Sequence, residues 1–192
     1  MDLLKPMLKK TSFTAKEARA CGVHPALLSY YVKTGILERV KYGVYRHTEA
    51  PEPSNMQWAD LVQSVLSVPG GVVCLTSALA LYGLTEEIPR HHWIAVRHGT
   101  TAKARFPIKI VRYRNAELGR TEFDVDGIHI PIYDRERTII DAFRKLSRET
   151  AIKALKAGMS GRKKEKIDLV KLQKYAKKLR VPIEPYLLAV TT

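Results

Sequence analysis

The side chains with the clearest capacity for chemistry lie on a predicted helix near the start of the chain. Ala26, Ser29, Tyr30 and Lys33 are spaced i, i+3, i+4 and i+7, which places them on one helix face, and apolar residues occupy the opposite face. A helix that enters a DNA groove directs the residues near its N-terminus to base edges. We therefore predict that His24, Ala26, Ser29 and Tyr30 contact bases and that Lys33 contacts a phosphate.

Short elements around this helix would hold it in place. Thr14 and Glu17 have the spacing of a capping box, which predicts that a helix begins directly after Thr14. Gly22 suits the left-handed residue that ends a helix, and Pro25, capped by His24, suits the first position of the next. The helices predicted for this part of the chain cover residues 2–10, 15–20 and 25–34.

Two short strands, residues 36–40 and 44–46, are predicted next, joined by a tight turn. Helices followed by such a hairpin outline a winged helix-turn-helix. The hairpin and the preceding helix carry side chains that can meet the sugar-phosphate backbone. These further candidate DNA contacts are Arg39, Lys41, Tyr42, Arg46, Lys16 and Arg19. The alternatives are a hairpin with solvated surface charge and a helix whose Tyr30 packs on its own domain.

The charge of the chain points to a polyanionic partner. The 192 residues carry 33 Lys and Arg against 19 Asp and Glu, a net charge of +14, with +5 in residues 1–50, −1 in residues 51–142 and +10 in residues 143–192. Such an excess commonly neutralises phosphates. A candidate partner or DNA surface near the C-terminus consists of Arg162, Lys163, Lys164, Lys171, Lys174 and Lys178. A solvated basic face explains these residues equally well.

Helical and strand patterns mix downstream of residue 56, so we predict an α+β fold class. The predicted helices cover residues 57–66, 76–82, 134–146, 148–157 and 165–179. The predicted strands cover residues 72–75, 92–97, 107–113, 121–125 and 128–133, the last two joined by the turn signal Asp126-Gly127. A flexible break is expected at Gly158 to Gly161. The predicted domains are a winged helix-turn-helix (1–48), a linker (49–56) and a mixed C-terminal domain with a basic helical end (57–192).

The signals for catalysis are weak. Glu122, Asp124 and Asp126 alternate along a predicted strand, a geometry that metal-dependent nucleases and nucleotidyltransferases exploit, but the turn alone explains Asp126. His91 and His92 are adjacent on a strand and would point to opposite faces, which disfavours a metal site. The chain has no nucleophile-elbow or P-loop motif. We predict no enzymatic activity, no cofactor and no metal.

One predicted helix interleaves charges of both signs before its apolar face. Arg137 and Asp141 lie four residues apart within it. This spacing predicts an intrahelical ion pair, or a bond to a neighbouring loop. We favour this structural interpretation for both residues.

No targeting or membrane signal is evident. The longest apolar runs, such as residues 72–75, fall far short of the roughly 20 residues that a membrane helix needs, and the first residues lack the pattern of a signal peptide. Cys21 and Cys74 fall in different predicted domains, which favours a reduced compartment. We expect a cytoplasmic protein.

Three motifs, in this order, resemble the AbiEi-type antitoxins: Gly43-Val44-Tyr45-Arg46, the helical stretch 77–84, and Asp126-Gly127 followed by the stretch 136–141. The resemblance covers about residues 10–145. It implies a bacterial type IV toxin–antitoxin system, related to abortive phage infection, with a nucleotidyltransferase-like toxin. It also implies that an N-terminal winged helix binds inverted repeats and represses its own operon. By position, the DNA role falls on residues 24–33 and 39–42, and a C-terminal domain would serve antitoxicity and support cooperative DNA binding.

The sequence thus predicts a non-enzymatic repressor and antitoxin whose partners are double-stranded operator DNA and a toxin, the latter with or without stable contact. Inverted repeats require two copies of the chain, either as a dimer or as two monomers that bind the DNA cooperatively. One alternative is a transcription regulator with a ligand- or partner-sensing C-terminal domain and no toxin. Another is a nuclease or nucleotidyltransferase that uses the three acidic residues at positions 122, 124 and 126.

Overall fold

The computed structural model of the protein describes residues 13–41, 43–49, 58–102, 104, 107–161 and 166–191. These residues have an α+β fold, as predicted, and their strands form two β-sheets. The helices are α1 (Ala15–Ala20), α2 (Pro25–Lys33), α3 (Ala59–Ser67), α4 (Leu75–Leu81), α5 (Arg135–Lys145), α6 (Arg148–Ser160), α7 (Leu169–Leu179) and α8 (Glu184–Thr191). The strands are β1 (Phe13–Thr14), β2 (Leu37–Lys41), β3 (Val44–His47), β4 (Val72–Val73), β5 (His92–Arg97), β6 (Ile108–Tyr113), β7 (Arg120–Val125) and β8 (Ile128–Tyr133).

The chain divides into two compact units. The first unit comprises residues up to Gln63 together with Phe123–Ile130, and the second comprises Ser64–Glu122 and the chain from Pro131 onward. The predicted helix over residues 2–10 and most of the predicted linker, residues 50–56, lie outside the described residues.

The first unit packs α1 and α2 with a small antiparallel sheet of order β1-β3-β2. Its core contains Phe13, Ala18, Leu28, Tyr31 and Leu37, all nearly inaccessible to solvent. The two helices and the hairpin follow the prediction closely. Strand β1 was not predicted, because two residues are too few to show an alternating pattern.

The larger sheet is mixed and has five strands in the order β6-β5-β4-β8-β7. Most of it belongs to the second unit, whereas the Phe123–Ile130 parts of β7 and β8 belong to the first. Strands β5 and β6 are parallel, β4 and β8 are parallel, and β4 and β5 are antiparallel. Asp126 and Gly127 have φ angles of +51° and +81°, and they join β7 to β8. Positive φ at both residues is the geometry of a two-residue hairpin turn, so the Asp-Gly signal was correctly interpreted.

Helices α4 to α8 enclose the main apolar core of the second unit. Ile139 and Ile140 of α5, Leu155 of α6 and Leu172 of α7 are completely buried in it. Asp134 caps α5 by accepting the N–H of Arg137 at 2.8 Å, as the sequence indicated. None of the described helices combines the length and apolarity that a bilayer span demands.

The flexible break predicted at Gly158 to Gly161 is wrong. Residues 158–160 form the last turn of α6, and Gly158 is buried. A Cβ atom at Gly158 would lie 2.9 Å from Ile167 Cγ2 and 3.0 Å from Ile139 Cδ1. Gly158 therefore serves close packing against these side chains, not chain flexibility.

Two predicted boundaries also shifted, and one helix was missed. The strand predicted over residues 72–75 ends at Val73, because Leu75 already begins α4. The helix predicted over residues 165–179 begins at Leu169, where Asp168 Oδ1 accepts the N–H groups of Val170 and Lys171. Helix α8 was not predicted.

Candidate nucleic-acid interface

The start of α1 is held by a capping box. The N–H of Glu17 donates to Thr14 Oγ1 at 3.1 Å, and the N–H of Thr14 donates to Glu17 Oε2 at 2.8 Å. These two bonds satisfy backbone donors that a helix start otherwise leaves unpaired. Lys16 and Arg19, both predicted phosphate contacts, are exposed on the helix that this capping box fixes.

A tight turn at Gly22 connects α1 to α2. Gly22 has a φ of +82°, and the N–H of Val23 donates to the carbonyl of Ala18 at 2.9 Å, which closes the end of α1. At the start of α2, His24 Nδ1 accepts the N–H of Ala26 at 3.2 Å. His24 is therefore the N-cap of α2, and its predicted base contact would have to use the other ring nitrogen, Nε2.

The outer face of α2 is open to solvent as predicted. Its exposed residues are Ala26, Ser29, Tyr30 and Lys33. The Tyr30 side chain is 57% exposed, and its ring meets the ring of Tyr31 edge-on with centroids 5.6 Å apart. Tyr30 thus packs partly against its own domain, while more than half of its surface is open to solvent. Leu28, on the opposite face, is buried in the core of the first unit.

The turn between the helices brings two predicted contacts together. Arg19 and His24 line one open cavity of about 390 Å³, together with Gly22, Val23 and Pro25. The cation comes from the end of α1 and the imidazole from the cap of α2. The Arg19 guanidinium group supplies donors for a backbone phosphate contact here. The first turn of α2 adds none, because Pro25 lacks an N–H and the N–H groups of Ala26 and Leu27 donate to His24.

One hairpin residue that was predicted to contact DNA, Arg46, instead forms an ion pair within the sheet. Glu38 lies opposite Arg46 in the β2–β3 register, and Arg46 Nε donates to Glu38 Oε1. The Arg46 side chain is only 14% exposed, so its charge is matched within the sheet. Arg39 is exposed; of Lys41 only the backbone is described, and Tyr42 lies outside the described residues.

The basic residues near the C-terminus divide into three groups. Arg162, Lys163 and Lys164 lie outside the described residues. Lys174 and Lys178 are exposed on α7.

Lys171, in contrast, forms internal ion pairs. Its Nζ lies 3.1 Å from Asp134 Oδ2 and 3.2 Å from Glu136 Oε2. Partial burial alone would lower the pKa of Lys171, but the bonds to the two carboxylates outweigh this effect and raise the pKa. Lys171 thus binds α7 to the start of α5.

Of the acidic residues considered for catalysis, Asp124 supports the hairpin turn. Asp124 Oδ1 accepts the N–H of Gly127 at 3.2 Å, and Asp124 Oδ2 lies 3.6 Å from His129 Nδ1. Glu122 is exposed on β7. Among the residues that the structure describes, no cluster of three or more His, Cys, Asp or Glu side chains could hold a metal ion.

The buried cysteine, Cys74, lacks the properties of a reactive nucleophile. Cys74 is almost fully buried, and burial, together with the nearby charge of Asp141, raises the pKa of its thiol well above the ordinary value. A reactive cysteine needs a depressed pKa and access to solvent. Cys74 is therefore a core residue of the second unit.

Two polar features escaped the sequence analysis. Ser64 Oγ lies 2.6 Å from His92 Nδ1, although the two residues are 28 positions apart. Arg97 and Arg114 line an open cavity together with Lys178. In the sequence, each of two successive strands has a cation at its end or directly after it. This pattern indicates a shared site only when the two strands are known to be parallel neighbours.

The comparison with known families found a match within the first unit. Residues 9–47 match the model of the family described as "Transcriptional regulator, AbiEi antitoxin". The match spans about a fifth of the chain and includes α1, α2 and the hairpin. It confirms the resemblance to AbiEi-type antitoxins and supports, at the family level, an antitoxin and transcriptional regulator. Among curated proteins, no significant match was found.

Proposed function

We propose that the protein is a DNA-binding antitoxin of a type IV toxin–antitoxin system that represses its own operon. The single observation that carries the proposal is the exposed polar face of α2, positioned by the tight turn at Gly22, within the segment that matches the AbiEi regulator family. The protein would act in the cytoplasm by binding, without catalysis.

The first unit supports a winged helix-turn-helix mode of binding. Helix α2 would enter the major groove, with Ser29 and Tyr30 near base edges and Lys33 near a phosphate. Arg19 and Lys16 on α1 would contact the backbone, and the β2–β3 hairpin would act as the wing. Two copies of the chain would occupy the inverted repeats.

The operator claim is tested by footprinting the full chain on the DNA upstream of its own gene, over a series of salt concentrations. The expected result is protection of paired, inverted sites, with an affinity that falls steeply as salt rises because each phosphate contact releases counterions. A scrambled duplex of the same length and base composition is the control. Equal protection of the scrambled duplex would contradict sequence-specific repression.

The antitoxin claim is tested by growth. Co-expression of this chain should restore the growth of cells that express the toxin that we propose is encoded beside it, a nucleotidyltransferase-like protein. A variant defective in operator binding, expressed from an unrelated promoter, separates neutralisation from repression. If the intact chain never restores growth, the protein is a regulator without an antitoxin role.

A further inference from the structure

The second unit contains a basic cavity of about 550 Å³, which includes Lys178 of the predicted C-terminal basic surface but none of the residues predicted to contact DNA from α1, α2 and the hairpin. Its lining residues are Arg97, Arg114, Asn115, Ala116, Glu117, Leu118, Gly119 and Lys178. Its volume falls within the range of small-molecule binding sites, about 300–1,000 Å³. We refer to it below as the basic cavity.

The cavity lies at the carboxyl end of two parallel strands. Arg97 is the last residue of β5 and pairs in register with Tyr113, the last residue of β6, and Arg114 follows immediately. In open sheets, ligands bind beyond the carboxyl ends of parallel strands. Lys178 reaches the same cavity from the last turn of α7.

Among the described residues, no carboxylate forms a salt bridge with the cations of this cavity. In the part of the chain that the structure describes, Arg97, Arg114 and Lys178 form no ion pair. The acidic lining residue, Glu117, lies 3.6 Å from Arg120 Nη1, so its charge is directed to another cation. Three like charges around one cavity repel one another, and an anion would relieve that repulsion.

Arg137 fixes the loop that forms one wall of the basic cavity through hydrogen bonds to the loop backbone. Arg137 Nη1 donates to the carbonyl of Asn115 at 2.9 Å and to the carbonyl of Leu118 at 2.8 Å. Gly119 lies so close that a Cβ there would be 2.7 Å from Arg137 Cβ. Because these contacts fix the loop, less ordering entropy is lost when a ligand binds.

We propose that the basic cavity binds a phosphate group of a nucleotide or of a nucleic-acid backbone. Arginine favours phosphate because its planar donors can form two parallel bonds to one phosphate, and the lysine adds a third charge. Lys174 and Lys177, on the same helix as Lys178, line a second open cavity together with Arg180 and Glu184. The basic cavity and the α2 face share no residue, so phosphate binding by the cavity can be tested separately from operator recognition.

The test uses the full chain and two probes, inorganic pyrophosphate in calorimetry and a 20-base-pair duplex of unrelated sequence in a salt series. The variant carries Arg97→Gln and Lys178→Gln. The matched control carries Arg90→Gln and Lys156→Gln, which removes the same charge from exposed residues outside the cavity. Thermal melts of both variants verify that the fold is intact.

We expect the intact chain to bind pyrophosphate and the cavity variant to bind it at least about tenfold more weakly, with the control close to the intact chain. If only the duplex binds, and its salt slope falls by about 2 in the cavity variant alone, the phosphate belongs to a nucleic-acid backbone. If both variants behave alike with both probes, the proposal is overturned. An unchanged operator footprint in both variants would show that the α2 interface is separate.

Discussion

Arg137 Nε donates a 2.8 Å hydrogen bond to Asp141 Oδ2 one helical turn away, and both side chains are almost completely inaccessible to solvent. The second oxygen of Asp141 accepts a 2.8 Å bond from Arg144. The guanidinium group of Arg137 also lies over the rings of Tyr113 and Tyr133, 5.1 and 4.7 Å from their centroids. A buried charge of this kind is tolerated only while its counterion is present.

The first prediction concerns this pair. Asp141→Ala should lower the free energy of unfolding by about 3–5 kcal/mol, because it leaves the Arg137 charge buried without a counterion. The control is Glu149→Ala, which removes an exposed ion pair with Lys153 and should barely move the urea midpoint. Equal midpoints for the two variants would contradict a dominant role for the buried pair.

A second prediction concerns stability at high pH. Burial raises the pKa of Tyr113 and of Tyr133 above the ordinary value of about 10, and nearby acidic groups add to the rise for Tyr113. Above pH 10 the unfolded chain therefore releases tyrosine protons that the folded chain retains, so stability is full below this pH and falls as the pH rises. The fall should approach about 1.4 kcal/mol per pH unit for each such tyrosine.

Two conservative variants separate charge from hydrogen bonding. Tyr133 Oη donates to the carbonyl of Ala116 at 2.9 Å, whereas Tyr113 Oη is buried and has no hydrogen-bond partner among the described residues. Tyr133→Phe should cost about 1 kcal/mol at pH 7, and Tyr113→Phe should cost nothing or stabilise. Both should reduce the alkaline slope in pH-dependent urea titrations. A larger loss at pH 7 for Tyr113→Phe would show that its hydroxyl has a partner in solution.

The third prediction compares two glycines with positive φ. Gly119 has a φ of +72° and lies against Arg137, whereas Gly99 has a φ of +88° and open space where a Cβ would be. Gly99→Ala should cost about 1–2 kcal/mol from backbone strain alone. Gly119→Ala should cost more, since Arg137 must also move. Thermal melts of the two variants test this order, and a reversed order would refute the tight packing at Gly119.

The fourth prediction addresses the capping box of α1. Thr14→Ala should destabilise the first unit by about 1 kcal/mol, because the N–H of Glu17 loses its acceptor. Thr101→Ala, in an exposed stretch of the second unit, is the control. Hydrogen exchange resolves the effect by residue: faster exchange should be confined to the first unit. Uniform acceleration along the chain would contradict a local cap.

The fifth prediction separates base contacts from phosphate contacts on the operator. Lys33→Ala and Lys41→Ala should weaken binding to every sequence and lower the salt slope by about 1 each. Tyr30→Ala and Ser29→Ala should instead alter sequence preference. Lys156→Ala, on α6, is the control with the same loss of charge. Unchanged binding in all four variants would remove the proposed interface.

Local patterns predicted the elements whose ends are fixed by nearby residues. The Thr14 to Glu17 spacing, the His24-Pro25 start and the Asp126-Gly127 turn each depend on contacts within four residues, and all three were confirmed. Gly158 misled because glycine favours both flexible breaks and close packing. The distinction depended on Ile139 and Ile167, whose positions the sequence does not reveal.

The basic cavity shows why part of the candidate site was beyond sequence reasoning. Arg97 and Arg114 are 17 positions apart, and they line one cavity because the consecutive strands β5 and β6 pair in parallel and not as a hairpin. For Arg46, the position in the hairpin was predicted correctly, but its pairing with Glu38 depends on the register of the two strands. Both outcomes depend on strand pairing.

Asp134 connects the start of α5 to α7. Its Oδ1 caps α5, while its Oδ2 accepts a 3.0 Å hydrogen bond from Tyr175 Oη and pairs with Lys171, both on α7. Glu136 adds a bond to the N–H of Asp168 at 2.9 Å. One short acidic segment thus anchors a helix more than thirty residues away. Amide exchange should therefore show the start of α5 and the whole of α7 opening together, as one cooperative unit of local unfolding.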